Sequence, residues 1–361
     1  MKILFFEPFF GGSHKDFATG FAKASGHEVN LVTLPARFWK WRMRGAALYL
    51  LNQVKDLADY DLIFTTDMVD VTDLKGLAGP RMPPVALYFH ENQLSYPLGP
   101  GEKRDYHLGF TNIVSAHAAD AVFFNSWFHL NDFLEAARDL IGQMPDFRPG
   151  WILDGIEEKA RVLYPGCRFS GKDQVPDLRP PGPPIIVWNH RWEYDKNPEG
   201  FFSVMRQLKG AGVCFSLAVL GERFRAVPPV FDQAKEEFRD EICAWGYVRS
   251  RKAYEAWLKK GQVVVSTAIQ ENFGISVIEA VRHGCFPLLP RRLSYPEIVP
   301  EHSHGTVLYE SPKDLFTKLK ALLADVPGDR DAQAKLCVHA GQYAWETIVK
   351  QYDKALNNLI I

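Results

Sequence analysis

Short apolar runs rich in β-branched and aromatic residues recur along this chain, and each leads into a longer stretch with apolar positions three or four residues apart. The short runs read as buried parallel strands and the longer stretches as helices. In the first half, strands are expected near Ile3–Phe6, Glu28–Thr33, Leu62–Thr66, Val85–His90, Ala121–Phe124 and Arg161–Tyr164. Helices are expected between them, among others at Ala46–Leu57, Tyr106–Ala119 and Trp127–Ala137. Residues 171–184 break the rhythm. Gly171, Pro176, Pro180, Pro181, Gly182, Pro183 and Pro184 can continue neither a helix nor a central strand, and so mark a linker. The alternation resumes at Ile185–Asn189, Phe215–Leu220, Gln262–Thr267 and Cys285–Leu289. The pattern therefore predicts an α/β protein with two doubly wound Rossmann-like domains, residues 1–170 and 185–340. Ligands are expected beyond the carboxyl ends of the strands, in a cleft between the domains. Trp345, Ile348, Tyr352, Leu356 and Leu359 share a helical spacing, so residues 341–361 are expected to form a helix packed back on the first domain.

The size of the chain, 361 residues, suits two domains, and 47% hydrophobic residues can fill two cores. A net charge of −1 excludes a whole-surface electrostatic grip on nucleic acid but leaves room for a local basic patch. The chain opens directly on a strand, Lys2 to Phe6, with no apolar leader, and contains no apolar run long enough for a membrane helix. Cys167, Cys214, Cys243, Cys285 and Cys337 are odd in number and form no C-x-x-C pair. The expectation is a protein of the reducing cytoplasm, without disulfides or a zinc site.

The candidate chemistry clusters at predicted strand ends. After the run Val263 to Thr267, Glu271 sits on a loop with Asn272, Phe273 and Gly274, and a helix opens at Ile275. A glycine there lets backbone approach a ligand, and the free N–H groups of a helix start attract anions. Glu279 follows just over two turns further on. Two carboxylates flanking a phosphate site are what a nucleotide-sugar pocket needs. The loop His190 to Pro198 carries two cations, Arg191 and Lys196, suited to hold a diphosphate and to balance its charge as it departs. Gly221 ends a further strand and could leave room for phosphate or sugar; Tyr247 could line a base pocket. In the first half, Gly11, Gly12, Ser13 and His14 follow the first strand, and His90, Glu91, Asn92 and Gln93 close another. Asn125 and Ser126 end the next, where Ser126 could serve only as a helix cap. The segment Arg37 to Arg44 holds Arg37, Lys40, Arg42 and Arg44 interleaved with Phe38, Trp39 and Trp41. Cations meet phosphates and aromatic faces stack on unpaired bases, so this segment is a candidate RNA contact.

The Glu271-x7-Glu279 spacing is similar to the E-x7-E motif of family-4 retaining glycosyltransferases. The longer strings Gly11-Gly12-Ser13-His14-Lys15, Leu34-Pro35-Ala36, Phe89-His90-Glu91-Asn92-Gln93-Leu94, Phe124-Asn125-Ser126, His190-Arg191-Trp192-Glu193 and Tyr295-Pro296-Glu297-Ile298 resemble the tRNA-queuosine mannosyltransferases of that family. The resemblance spans nearly the whole chain, although the region between the domains is short here. It implies a GT-B fold, GDP-mannose as donor, no essential metal, and as acceptor the cyclopentene diol of queuosine at the wobble position of tRNA(Asp); from the lack of a long apolar run, no membrane partner is expected. Under that resemblance His90, Arg191, Lys196 and Glu271 are the catalytic set. Gly11, Gly12, Ser13, Gly221, Tyr247, Asn272, Phe273, Gly274 and Glu279 bind the donor, with Glu279 on the ribose. His14, Arg37, Lys40, Trp41, Arg42, Arg44, Glu91, Asn92, Gln93 and Asn125 face the acceptor. Three other readings stay open from the residues alone: a same-fold transferase with a small-molecule or lipid acceptor, a sugar-phosphate epimerase or phosphorylase-like enzyme, and a tRNA-binding module without chemistry.

Overall fold

The first apolar run forms β1 (Lys2–Phe10), which pairs on one side with β2 (Glu28–Pro35) and on the other with β3 (Leu62–Thr66). β4 (Val85–Phe89), β5 (Ala121–Phe124) and β6 (Ala160–Val162) extend the sheet in the order β2-β1-β3-β4-β5-β6, every pair parallel. A second parallel sheet has the order β12-β11-β10-β7-β8-β9. Its strands are β7 (Ile185–Trp188), β8 (Ser216–Leu220), β9 (Ile242–Gly246), β10 (Val263–Val265), β11 (Phe286–Pro290) and β12 (Leu308–Tyr309). All residues of β3, β4, β5, β7 and β10 are buried, as strands covered on both faces must be. The computed structural model describes residues 1–361 except 100, 102, 170–181, 224–226, 325–329 and 361. Most of the proline-rich stretch 171–184 thus lies outside the described residues.

The helices of the first sheet are α1 (Gly12–Ala24), α2 (Trp39–Leu51), α3 (Val71–Ala78), α4 (Tyr106–Ala118), α5 (Trp127–Gly142) and α6 (Trp151–Lys159). Those of the second are α7 (Pro198–Gly210), α8 (Val230–Glu237), α9 (Arg251–Lys260), α10 (Ile275–Arg282), α11 (Tyr295–Ile298), α12 (His304–Val307), α13 (Pro312–Ala324) and α14 (Arg330–Ala340). The last helix, α15 (Trp345–Asn357), belongs to the first unit: the chain divides into Met1–Arg168 with Tyr343–Ile361, and Phe169–Gln342. Its anchor is Trp345. A Cβ on Gly20 of α1 would stand 2.0 Å from Trp345 Nε1, and one on Gly166 would stand 2.1 Å from Trp345 Cδ2. The indole fills the space of two missing side chains, and Tyr352 donates from the same helix to the carbonyl of Tyr164 at 2.9 Å. Truncating a buried Trp of this kind costs about 3–5 kcal/mol.

Some elements differ from the pattern-based expectation. The helix expected at Ala46–Leu57 begins seven residues earlier, at Trp39, because the Phe38 carbonyl already accepts the N–H groups of Trp41 and Arg42. It stops at Leu51, and Asp56 caps a separate 3₁₀ turn, Leu57–Asp59. The strand expected at Arg161–Tyr164 lies at Ala160–Val162. β9 and β12 were not anticipated: β9 is an edge strand with no fully buried residue, and β12 is two residues long, so neither carries a buried apolar run.

Both sheets reverse strand order at one point, between β1 and β3 in the first and between β7 and β10 in the second. Loops leaving such a switch point diverge to opposite faces and open a crevice at the carboxyl edge. The turn into α1 after β1 carries Gly11–His14, and the loops after β7 and β10 carry His190–Lys196 and Glu271–Gly274.

Candidate active site

In the second unit the loops after β7 and β10 are laced together. Ile269 N–H donates to the Asp195 carbonyl at 2.7 Å, and Thr267 Oγ1 donates to the carbonyls of Lys196 and Asn197 at 3.0 and 2.9 Å. This lacing fixes Lys196, which is buried. Its Nζ donates to the Gln270 carbonyl at 2.6 Å and lies 3.1 Å from Asp195 Oδ2 and 3.4 Å from Glu271 Oε2. Arg191 is half exposed and lies 3.1 Å from Glu193 Oε2. Between these cations Trp192 is an anchor: fully buried, it stacks on Phe231 at 4.2 Å with the rings nearly parallel. Burial alone would raise the Glu271 carboxyl; Lys196, His190 and Arg191 outweigh it and hold the group below its ordinary range. Burial and Lys196 keep the His190 imidazole neutral, down to about 4.

Gly274 takes φ +100° at the start of α10, a backbone state that disfavours other residues. Ser294 Oγ donates to the Glu271 and Phe273 carbonyls at 3.2 and 3.0 Å and holds the loop that presents this helix end. The Asn272 side chain accepts from Gln270 Nε2 at 2.9 Å. Glu279 belongs to a different set from Glu271. Its Oε1 accepts from Arg251 Nη1 at 2.6 Å and its Oε2 from the Tyr254 hydroxyl at 3.2 Å, while Asn189 Nδ2 donates to that hydroxyl at 2.8 Å. Arg251, Tyr254 and Asn189 carry no motif and escaped the sequence reading.

Two of the expected donor residues also serve packing. A Cβ on Gly221 would stand 1.9 Å from the His190 carbonyl, so the room on that side is taken by the loop after β7. A Cβ on Gly11 would stand 2.5 Å from Ala36 Cβ, so this glycine lets the loop after β2 close on the loop after β1. Tyr247 follows β9 and is 61% exposed, free to offer a ring face.

In the first unit the carboxyl edge gathers acidic and imidazole groups. Glu7 is fully buried; its Oε1 accepts from Phe9 N–H at 2.8 Å and its Oε2 lies 3.2 Å from His14 Nδ1. The His14 and His90 rings are 4.2 Å apart, and His90 N–H donates to Asp67 Oδ1 at 2.8 Å. Burial would lower His14, but Glu7, with Asp67 and Glu91 behind it, outweighs burial and raises the imidazole to about 9. Burial, His14 and His129 hold His90 well below its ordinary value, and burial pushes Asp67 up to about 8. Ligand atoms of Glu7, His14 and His90 lie within 4.8 Å of one another, close enough for an ion to span. Glu7 and His14 are nevertheless already joined to each other, which makes the arrangement an ion pair beside a neutral ring. A lone carboxylate inside the apolar run of β1 was a signal for Glu7 that the sequence reading left unused.

The polar string after His90 is partly structural. Asn92 Oδ1 accepts from the Leu94 and Ser95 N–H groups, both at 3.0 Å, and Asn125 bridges the His90 carbonyl at 2.9 Å to His129 Nδ1 at 2.8 Å. Those two amides shape the loop and are not presented to an acceptor. Gln93 Nε2 donates to Glu91 Oε1 at 3.2 Å, and Ser126 caps α5 through His129 N–H. At the start of α2, the N-cap Phe38 and Trp41 are 70% and 76% exposed, and Arg37, just before the helix, Lys40 and Arg44 are exposed beside them. Arg42 reaches back to the Pro35 carbonyl, and Arg44 stands 3.9 Å from Asp70. Trp39 packs against Met43, Met68 and Leu108. Phe38 itself has φ +55°, strained for a bulky residue that gains no burial from it.

Two parallel doubly wound units with anion-suited loops at their switch points define a class, the GT-B glycosyltransferases. HepE of Anabaena in complex with UDP superposes with a TM-score of 0.70 at 16% identity, covering 99% of this chain and 100% of that one. Sucrose-phosphate synthase of Thermosynechococcus elongatus does so with a TM-score of 0.74 at 15% identity, covering 99% of each. Residues 171–346 match the family described as glycosyl transferases group 1, and residues 2–167 match the N-terminal region of tRNA-queuosine alpha-mannosyltransferase. The tRNA-queuosine alpha-mannosyltransferase of Drosophila melanogaster is 34% identical over 331 residues, 88% of this chain and 85% of the fly protein. The chain belongs to the tRNA-queuosine alpha-mannosyltransferase family.

Proposed function

We propose that this protein transfers mannose from GDP-mannose, with retention of configuration, to the cyclopentene diol of queuosine at the wobble position of tRNA(Asp). The observation that carries the reading is the meeting of Lys196, Glu271 and the glycine-opened start of α10 in a chain of this family. Arg191 and Lys196 hold the diphosphate with the N–H groups at Asn272–Gly274; Arg191 exchanges Glu193 for phosphate when the donor binds. Glu271 receives donor sugar hydroxyls, Glu279 the ribose, and Tyr247 the base. His90, kept neutral by burial, His14 and His129, is the first-unit residue this reading assigns to the reacting sugar.

The C1–O bond to the diphosphate breaks as the C1–O bond to the acceptor forms on the same face, and a phosphate oxygen takes the acceptor proton. Fixed cations stabilise the developing charge without reorganisation, so no metal is required. The exposed Arg37, Lys40, Trp41 and Arg44 face the RNA, with Phe38 as a second stacking surface. All five cysteines are free thiols, and among the described residues no helix is long and apolar enough to cross a membrane.

The test is incubation with radiolabelled GDP-, UDP- and ADP-sugars, using tRNA from queuosine-replete and queuosine-deficient cells. Label entering only replete tRNA, and only from GDP-mannose, is expected. Equal labelling of both tRNA pools, or transfer from another donor alone, overturns the reading.

A further inference from the structure

We propose that Glu7 is a positioning residue for the acceptor. Its carboxylate locks His14 in one orientation, with Nδ1–H toward Glu7, so that Nε2–H of the imidazolium donates to an oxygen of the acceptor diol. The proposal rests on the transferase reading above and adds a residue that neither the sequence motifs nor the family resemblance singled out. Glu7 stands within the apolar run of β1 at the switch point of the first sheet, where a buried carboxylate is costly unless it is paired. Both its oxygens are committed. Phe9 N–H fixes Oε1 at 2.8 Å, which sets the rotamer, and Oε2 faces His14 Nδ1 at 3.2 Å. With Nδ1 so engaged, Nε2 is the nitrogen left for a ligand, and His14 lies on the first turn of α1, just past Gly11 and Gly12. A carboxylate that orients an imidazole through Nδ1 fixes which nitrogen acts, without touching substrate itself.

The groups facing His14 are Glu7 from β1, Asp67 from the loop after β3, and His90 and Glu91 from the loop after β4. The carboxylates among them favour the charged ring, and Glu7 contributes most. Above its titration His14 presents a lone pair at Nε2 in place of a donor, so acceptor binding weakens on the alkaline side. Replacing Glu7 with Gln keeps the shape and removes the charge; Phe9 N–H keeps the amide oxygen, so the amide nitrogen donates to His14 Nδ1. His14 then titrates lower, since burial acts with less opposition, and its neutral ring carries the proton on Nε2.

The test compares wild type, Glu7→Gln and His14→Gln for acceptor kcat/KM across pH 6 to 10, and follows the His14 ring by NMR titration without substrate. In Glu7→Gln the alkaline fall near 9 is expected to disappear, because Nε2–H persists in the neutral ring, while the NMR titration of His14 moves to lower pH. At pH 10 wild type should keep about a tenth of its plateau acceptor kcat/KM, whereas Glu7→Gln should show no fall from its own plateau. His14→Gln should lose the alkaline fall altogether. If Glu7→Gln does not fold, the wild-type profile against His14→Gln decides. An identical His14 titration in wild type and Glu7→Gln, an alkaline fall that survives in His14→Gln, or stoichiometric zinc held by the purified protein would overturn the proposal. Wild type that transfers nothing to queuosine tRNA defeats the transferase reading instead, and the NMR arm still decides whether Glu7 holds His14.

Discussion

Lys196 Nζ lies 3.4 Å from Glu271 Oε2, so the cation proposed for the diphosphate and the carboxylate proposed for the sugar are neighbours across two loops. Lys196 also stands against the buried Asp195. Lys196→Ala therefore does two things. It removes a charge from the proposed reacting centre, a loss of roughly 10²–10³ in kcat, and it leaves the buried Asp195 with the half-exposed Arg191, 4.0 Å away, as its remaining cation, at a cost of up to about 3–5 kcal/mol. Arg191 is half exposed, so Arg191→Ala should lower kcat comparably while leaving the melting temperature nearly unchanged. Steady-state kinetics beside thermal melts checks both; near-wild-type turnover in both variants would remove their role.

The separation of Glu279 from Glu271 predicts different kinetic signatures. Glu279→Gln should weaken GDP binding, because a ribose contact is present before and during reaction, whereas Glu271→Gln should act mainly on kcat. Arg251→Ala should share the phenotype of Glu279→Gln, since Arg251 holds that carboxylate at 2.6 Å. Calorimetry with GDP alone is the measurement, and unchanged affinity in the Glu279 and Arg251 variants would contradict the assignment.

Stability should fall on the acid side. His129 is held down to about 3 by burial, His190 to about 4 by burial and Lys196, and His90 well below its ordinary value by burial and its imidazole neighbours. All three are neutral when folded and bind protons when unfolded below about 6.5, so their contribution is present above that pH and lost as pH falls toward 3–4. Asp67, pushed up to about 8 chiefly by burial, holds a proton in the folded state and offsets one of the three. Denaturant melts between pH 6.5 and 4.5 should show declining stability. His129→Gln should reduce the slope by about 1.4 kcal/mol per pH unit. A flat profile, or the same slope in that variant, would contradict the proton count.

The alternating runs made the parallel sheets legible because a strand buried on both faces is apolar throughout, as in Ile63, Val85 and Val122. Edge strands lack that constraint, which is why Ile242–Gly246 went unread. The residues brought to the strand ends were legible for the same reason that turns are: Gly274, Asn197 and Ser126 mark where a strand becomes a helix. What could not be read was partnership at long range. Glu279 meets Arg251 from another helix, Gly221 meets the His190 carbonyl, and Glu7 meets His14 across the turn after β1; no spacing rule encodes such pairs.

Transfer should proceed without a divalent ion. In the proposed reading, Arg191, Lys196 and the start of α10 supply the positive field that magnesium gives elsewhere. Activity measured in excess EDTA should match activity in magnesium. Loss of activity that magnesium or manganese restores would contradict this.

The exposed face of α2 should carry the electrostatics of RNA binding. Arg37→Glu with Lys40→Glu should weaken tRNA affinity and lower the slope of log affinity against log salt by about 1.4–1.8, the loss of two phosphate contacts. Trp41→Ala should cost roughly 1–3 kcal/mol of binding with little change in slope, because stacking is not ionic. GDP affinity should be unaffected in each. Equal affinities and slopes in wild type and the charge variant would place the RNA on another surface.

The most direct measurement is nucleoside mass spectrometry of queuosine-containing tRNA(Asp) after incubation with the protein and GDP-mannose. The expected product is a queuosine nucleoside heavier by one hexose, with the sugar removed by an α-mannosidase and not by a β-mannosidase. Unmodified queuosine, a hexose on any other nucleoside, or a β-linked product would contradict retaining transfer of mannose to queuosine.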